Sequence, residues 1–191
     1  MARYRVSVIS VRQPAAGCAA YSVSLILVTM SEVVLRAALA SDAPFLEEML
    51  VEAANAPSGT RSRSEALADP AIAGYVTDWP RETDVGVVAI DGSDRPIGAA
   101  WLRFFTEVDP GYGFVRADIP ELAIGVASDQ RGKGVGRALL RSLADAARAR
   151  GIEHICLSVE RANPAADLYR AEGYRVVESR EHADTMVLEL Q

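Results

Sequence analysis

The chain has 191 residues, half of them hydrophobic and 24% charged, enough apolar material for one well-formed core and one globular domain. A net charge of -6 is too modest, and Leu, Ile, Val and Phe are too frequent, for intrinsic disorder, and no run reaches the ~18 apolar residues that mark a membrane span. Cys18 and Cys156 lie far apart, with neither a metal-ligand spacing nor a disulfide framework, so the chain reads as cytoplasmic, without a metal site and without a membrane partner.

Residues 1–30 contain Arg3, Arg5 and Arg12 and no acid, which leaves 17 basic against 26 acidic side chains in residues 31–191, a formal -9. That surface repels nucleic-acid phosphate and suits an amine-bearing partner, although acids that serve only solubility give the same count. The leader itself alternates weakly from Arg3 to Gln13, turns through Pro14 to Ala20 and ends in a short apolar run, Val23 to Val28. A secretory signal has a longer apolar run and a small-residue cleavage site after it. Arginines without acids also suit a targeting leader; the simpler expectation is that Met30 is the true start, with residues 31–191 forming the domain, and N-terminal sequencing of the native protein checks this.

From Val33 the pattern becomes regular. Val33 to Arg36 reads as a strand, and Ser41 or Asp42 caps a helix with Pro44 in its first turn and Phe45, Leu46, Met49 and Leu50 on one face. Residues 55–70 are polar, with a short helix expected around Ser64 to Ala68. Asp84 to Ile90 and Pro96 to Phe105 are apolar runs joined by Asp91, Gly92, Ser93 and Asp94, the chemistry of an antiparallel hairpin. A loop from Thr106 to Pro120 precedes a third strand, Glu121 to Ala127. Val135 to Arg150 carries Val135, Leu139, Leu143 and Ala146 at helical spacing and stops at Gly151. Ile152 to Val159 is a strand, Asn163-Pro164 opens a helix that runs to about Glu172, and Tyr174 to Ser179 with Thr185 to Leu190 form a closing strand pair. The order describes a mixed α/β sheet with helices on its faces. The closing pair offers an edge on which a homodimer would form.

Between the third strand and its helix stands Arg131-Gly132-Lys133-Gly134-Val135-Gly136. Glycines at alternate positions let the backbone approach a ligand and aim several N–H groups at one point, where the helix dipole also favours an anion. A diphosphate suits that arrangement; a tight turn is the plainer alternative. A Walker loop is excluded because Lys133 is followed by Gly134 rather than Ser or Thr, and a dinucleotide fingerprint fits poorly because Leu139 occupies its last small position.

Arg131-x-x-Gly134-x-Gly136, followed by Asn163-x5-Tyr169 and Gly173-Tyr174, resembles the GNAT family of N-acetyltransferases, and the matching order of elements covers most of residues 33–190. The resemblance implies a mostly antiparallel sheet of six or seven strands, splayed between the strand ending at Val126 and strand 152–159. It implies acetyl-coenzyme A as acyl donor and no metal. It also implies that Arg131 and the backbone N–H groups of Gly132, Lys133, Gly134, Val135, Gly136 and Arg137 hold the pyrophosphate. Ile124, Gly125 and Val126 would then present backbone to the pantetheine arm, as in strand addition, and an N–H near Val126 would polarise the thioester carbonyl.

Acetyl transfer to an amine also needs a base and an acid. Tyr169 is similar to the family's tyrosine facing the coenzyme sulfur and is the candidate general acid; a helix residue facing the core explains it equally simply. Asn163 is expected to cap its helix and to contact the coenzyme. For the base, Glu121 and Asp118 stand at the start of the strand that leads to Val126, and the absence of any dedicated residue is the third alternative. His154, His182 and Cys156 are expected to be structural or exposed. Trp79, Trp101, Phe104, Phe105, Tyr112 and Phe114 are divided between core or lid packing and an acceptor pocket. The family resemblance implies an acetyltransferase acting on an amine acceptor; a non-catalytic acyl-coenzyme A sensor is the alternative.

Overall fold

The computed structural model describes residues 33–191, so the leader and the start proposed at Met30 lie outside the described residues. Strand β1 (Val34–Ala37) leads through a 3-10 turn at Ala40–Asp42 to helix α1 (Ala43–Ala54), then α2 (Arg63–Ala68) and α3 (Pro70–Ala73). Strands β2 (Val85–Ile90), β3 (Pro96–Arg103) and β4 (Glu121–Val126) follow, then α4 (Val135–Arg148), β5 (His154–Glu160), α5 (Ala165–Ala171), β6 (Arg175–Ser179) and β7 (Ala183–Glu189). The seven strands form one sheet in the order β1-β2-β3-β4-β5-β7-β6. Every pairing is antiparallel except β4 with β5. No described helix is long and apolar enough to cross a membrane.

The local chemistry differs from expectation in two places. Asp42 does not cap α1 through its side chain: its carboxylate accepts the Leu39 N–H at 2.7 Å and a two-pronged ion pair from Arg36 at 2.7 and 2.8 Å, closing the 3-10 turn instead. Between residues 55 and 70 the expected short helix is present as α2, opened by a reciprocal capping box of Ser62 and Glu65. A further, unexpected turn, α3, then begins at Pro70, its N-terminus capped by Asp69; a four-residue turn has too few positions to show a period.

Strand alternation sends neighbouring side chains to opposite faces. Ala100, Leu102 and Leu122 pack with Leu139, Leu140 and Leu143 of α4 on one face, while Ala99, Trp101 and Ala123 pack with Leu46, Met49 and Leu50 of α1 and with Ile72 on the other. Helix α1 lies so close to β4 that a Cβ on Gly125 would overlap the backbone carbonyl of Met49. Backbone on both sides leaves little room to relax, so Gly125→Ala is expected to lose about 1–3 kcal/mol of stability in urea unfolding. At the far edge all five residues of β6 are exposed, and this is the edge on which the homodimer expectation rests.

Strands β4 and β5 meet at one residue pair. Glu121 is in register with Cys156, and the Cys156 N–H donates to the Pro120 carbonyl at 3.0 Å. Beyond that point the two strands separate, as the splayed sheet requires, and the gap opens toward the glycine loop.

Candidate active site

The register of β3 with β4 fixes which backbone groups face the gap. Ala127 donates to Ile97 across the β3–β4 ladder, and hydrogen-bonded and non-bonded pairs alternate along an antiparallel pair. Ile124 and Val126 therefore turn their N–H and C=O groups away from β3, toward the gap. Gly125 turns its own toward β3. The expectation of three gap-facing residues is thus corrected to two; Gly125 serves the approach of α1. The Val126 carbonyl is taken up by Arg131 Nε at 3.1 Å, and the Arg131 guanidinium is anchored by an ion pair with Glu52.

The loop that follows is built for a left-handed backbone. Gly132 and Gly134 have φ of 73° and 84°, and a Cβ on either would meet open space. The conformation, rather than crowding, demands glycine at these two positions. Among the described residues nothing accepts from the N–H groups of Gly132 to Arg137, because the first helical bond of α4 is Ala138 N–H to Gly134 C=O. Unpaired N–H groups at the N-terminus of a fourteen-residue helix are donors of the kind that suit an anion. Arg131, Lys133 and Arg137 add positive charge, with Arg137 also paired to Glu172 at 2.9 Å. A cleft of 340 Å³ lined by Glu48, Met49, Glu52 and Ser128 adjoins the loop from the α1 side.

At the closed end of the gap lies Glu121, 2% exposed. One carboxylate oxygen, Oε1, accepts the Tyr75 hydroxyl at 2.5 Å and the Gly113 N–H at 2.6 Å. The other, Oε2, is buried with no partner. Burial raises the carboxyl to about 7, against the pull of those two donors and of Arg180. The segment around Gly111 and Gly113 roofs this end: a Cβ on Gly111 would strike Oε2, and one on Gly113 would strike the Leu157–Ser158 peptide of β5.

Tyr169 projects from α5 into the core on the α4 face, its ring edge-on to Tyr174 at 5.7 Å. Its hydroxyl donates to no described residue, yet it is absent from the fully enclosed polar atoms, so it keeps some access to solvent. Burial raises the phenol to about 12 and holds it protonated at neutral pH. Asn163 Oδ1 accepts the Ala165 N–H at 2.9 Å, and its C=O accepts from Ala166; this is the expected cap, with Pro164 next in the turn.

Comparison with known proteins decides the family. The model of the Acetyltransferase (GNAT) family matches residues 46–174. This chain belongs to the GNAT family of acetyltransferases, whose acyl donor is acetyl-coenzyme A. A GCN5-related N-acetyltransferase from Kribbella flavida superposes with a TM-score of 0.60 at 21% identity, over 83% of this chain and 98% of that one. The yncA protein of Salmonella typhimurium, solved with its cofactor acetyl-CoA, gives 0.61 at 22% identity over 84% and 95%. The streptothricin acetyltransferase of Streptomyces lavendulae is 50% identical over 52 residues, 27% of this chain and 28% of that protein. The chain thus spans little more than a quarter of the length of the curated relative it matches.

In this GNAT domain the remaining candidates are exposed, paired or packed in the core. Asp118 is mostly exposed and held by Arg116 at 2.5 and 2.8 Å, which keeps its carboxyl below the usual range and makes it a poor base. Cys156 is fully buried, and burial beside Glu121 raises its thiol to about 12, so it carries no thiolate at neutral pH. His182 is exposed in the β6–β7 turn. Trp101 is core and donates its Nε1–H to the Tyr75 carbonyl at 2.8 Å; Phe105 packs on the Tyr75 ring at 4.8 Å. Trp79 lies over Gly86 and bonds Leu39. Tyr112 alone of these is well exposed, stacked on Tyr75 with ring centroids 6.4 Å apart. Tyr75 itself carries no motif; it lies within a short apolar run, and only the fold brings it to Glu121.

Proposed function

We propose that this protein transfers the acetyl group of acetyl-coenzyme A to a primary amine of a small molecule or peptide, by direct attack within a ternary complex. The observation that carries the reading is one gap with an unpaired N–H nest at its open end and, at its closed end, a buried carboxylate with one oxygen free. A backbone nest of this kind fits a pyrophosphate, and the gap-facing groups of Ile124 and Val126 fit an extended amide arm. Acetyl-coenzyme A, when bound, supplies an acetyl group on a thioester whose sulfur is the leaving atom.

The chain's residues then divide the work. Gly132 to Arg137 and Arg131 hold the diphosphate, and Asn163, once its cap is made, has its amide NH2 free for the arm. Glu121 takes a proton from the amine as the N–C bond forms and the C–S bond breaks; a carboxyl near 7 is matched to that task at neutral pH. Tyr169 gives its proton to the departing sulfur. The Val126 N–H faces the gap to polarise the carbonyl. A cytoplasmic location belongs to the same proposal, in keeping with Cys156 as a free thiol.

Thiol release from acetyl-coenzyme A across amines, amino acids, polyamines, aminoglycosides and peptides tests it. Streptothricin joins that panel because of the relative that carries its name. Release with at least one acceptor is expected, and Gly134→Trp, which forbids the left-handed turn and covers the nest, is expected to lower coenzyme affinity about 10²-fold or more. Tight coenzyme binding with no release on any acceptor overturns catalysis and favours the sensor.

A further inference from the structure

Resting on Glu121 as the base, we infer that Tyr75 is a positioning residue of the reaction: it ties down one oxygen of Glu121, fixing the orientation of the carboxylate, and leaves the other, Oε2, without a donor. The geometry leaves the two oxygens unequal. Oε1 already receives two donors within 2.6 Å, one for each of its lone pairs, whereas Oε2 receives none. The Tyr75 hydroxyl is itself oriented, since it accepts the Tyr112 N–H at 2.9 Å while donating to Glu121. It is thus the joint between the base and the segment that roofs it.

Tyr75 is held for this. Its carbonyl accepts from Trp101, its ring is gripped between Phe105 and Tyr112, and the carbonyls of neighbouring Gly74 and Thr77 accept from Arg103 at 2.8 and 2.7 Å. Burial and the adjacent carboxylate push its phenol far above the usual range, so it never ionises and remains a fixed donor. A permanent donor to a carboxylate favours the charged form. The other charged or titratable groups around Glu121 do not offer this. Arg103 stands opposite Glu121 in register on β3 but is committed to Asp84; Cys156 on β5 stays a neutral thiol; Arg180 from the β6–β7 turn acts through space; Tyr112 presents its N–H, with its ring turned onto Tyr75.

Tyr75→Phe keeps the ring and removes the hydroxyl. The midpoint of Glu121, followed by 13C NMR of its side-chain carboxyl and assigned by its loss in Glu121→Gln, is expected to rise by about one pH unit. The acidic limb of kcat/KM should move with it: roughly a tenfold loss at pH 6.5 that is recovered above about pH 9. Thermal unfolding and coenzyme affinity of the variant serve as controls for folding. An unmoved midpoint, or an activity loss equal at every pH, overturns the role of Tyr75 while leaving Glu121 as base. Full activity in Glu121→Gln overturns the base and the positioning role with it.

Discussion

Asp84→Ala will lower the unfolding free energy by about 3–5 kcal/mol, the usual cost of stranding one member of a buried ion pair. Arg103 is the charge left behind. Its side chain is 1% exposed, and it meets Asp84 at 2.5 Å through Nη2 and 3.2 Å through Nε. Without the carboxylate the guanidinium retains only the carbonyls of Gly74 and Thr77, which are dipoles and cannot offset a full charge out of water. Against a usual total of about 5–15 kcal/mol the loss is roughly a fifth or more of the stability, so the urea midpoint should fall steeply. The double variant Asp84→Ala with Arg103→Met should recover most of it, because a buried pair replaced by apolar groups costs far less than a broken one. A single-variant loss under about 1 kcal/mol contradicts this account.

The same pair links stability to the site. Asp84 precedes β2 and also accepts the Arg81 N–H at 2.8 Å, while Arg103 clamps the turn that carries Tyr75. A loosened clamp frees Tyr75, and with it Glu121. In the Asp84→Ala protein that remains folded, the activity defect should therefore resemble that of Tyr75→Phe: strongest below neutral pH.

This dependence also shows what could be read in the sequence and what could not. The glycine loop, the strand before it and the helix after it were legible because each follows from local rules: alternate glycines, a positive φ, a 3.6-residue period ending at Gly151. Glu121 was legible as a candidate because it opens the strand that leads to Val126, with Asp118 just before it, yet parity along the strand could not settle which face Glu121 takes. Burial separates them in the fold: it raises the Glu121 carboxyl and leaves Asp118 exposed beside Arg116. Tyr75 had no local signal at all. It lies 46 residues from Glu121, and the contact exists only because α3 packs over β3 and β4. Gly125 was assigned to the gap by its neighbours, whereas ladder alternation and the overlap with Met49 give it a packing role.

Tyr169→Phe is the second large effect expected, a fall in turnover of about 10²-fold or more with coenzyme affinity changed less than about threefold. A phenol raised to about 12 by burial stands well above a thiol at its aqueous reference near 8.5, so toward a fully hydrated thiolate it would be a weak acid. The comparison changes inside the gap. Burial that disfavours a phenolate disfavours a thiolate for the same reason, so a sulfur leaving beside Tyr169 becomes more basic as it loses water, and the proton then has somewhere to go. The substitution leaves the ring, its edge contact with Tyr174 and the core around it in place, so the melting temperature should hold within a few degrees. Thiol release and a direct coenzyme-binding titration on the same preparation separate the two roles. Turnover within threefold of the unaltered protein would assign Tyr169 to the core alone, whereas lost turnover with intact binding assigns its hydroxyl to the departing sulfur.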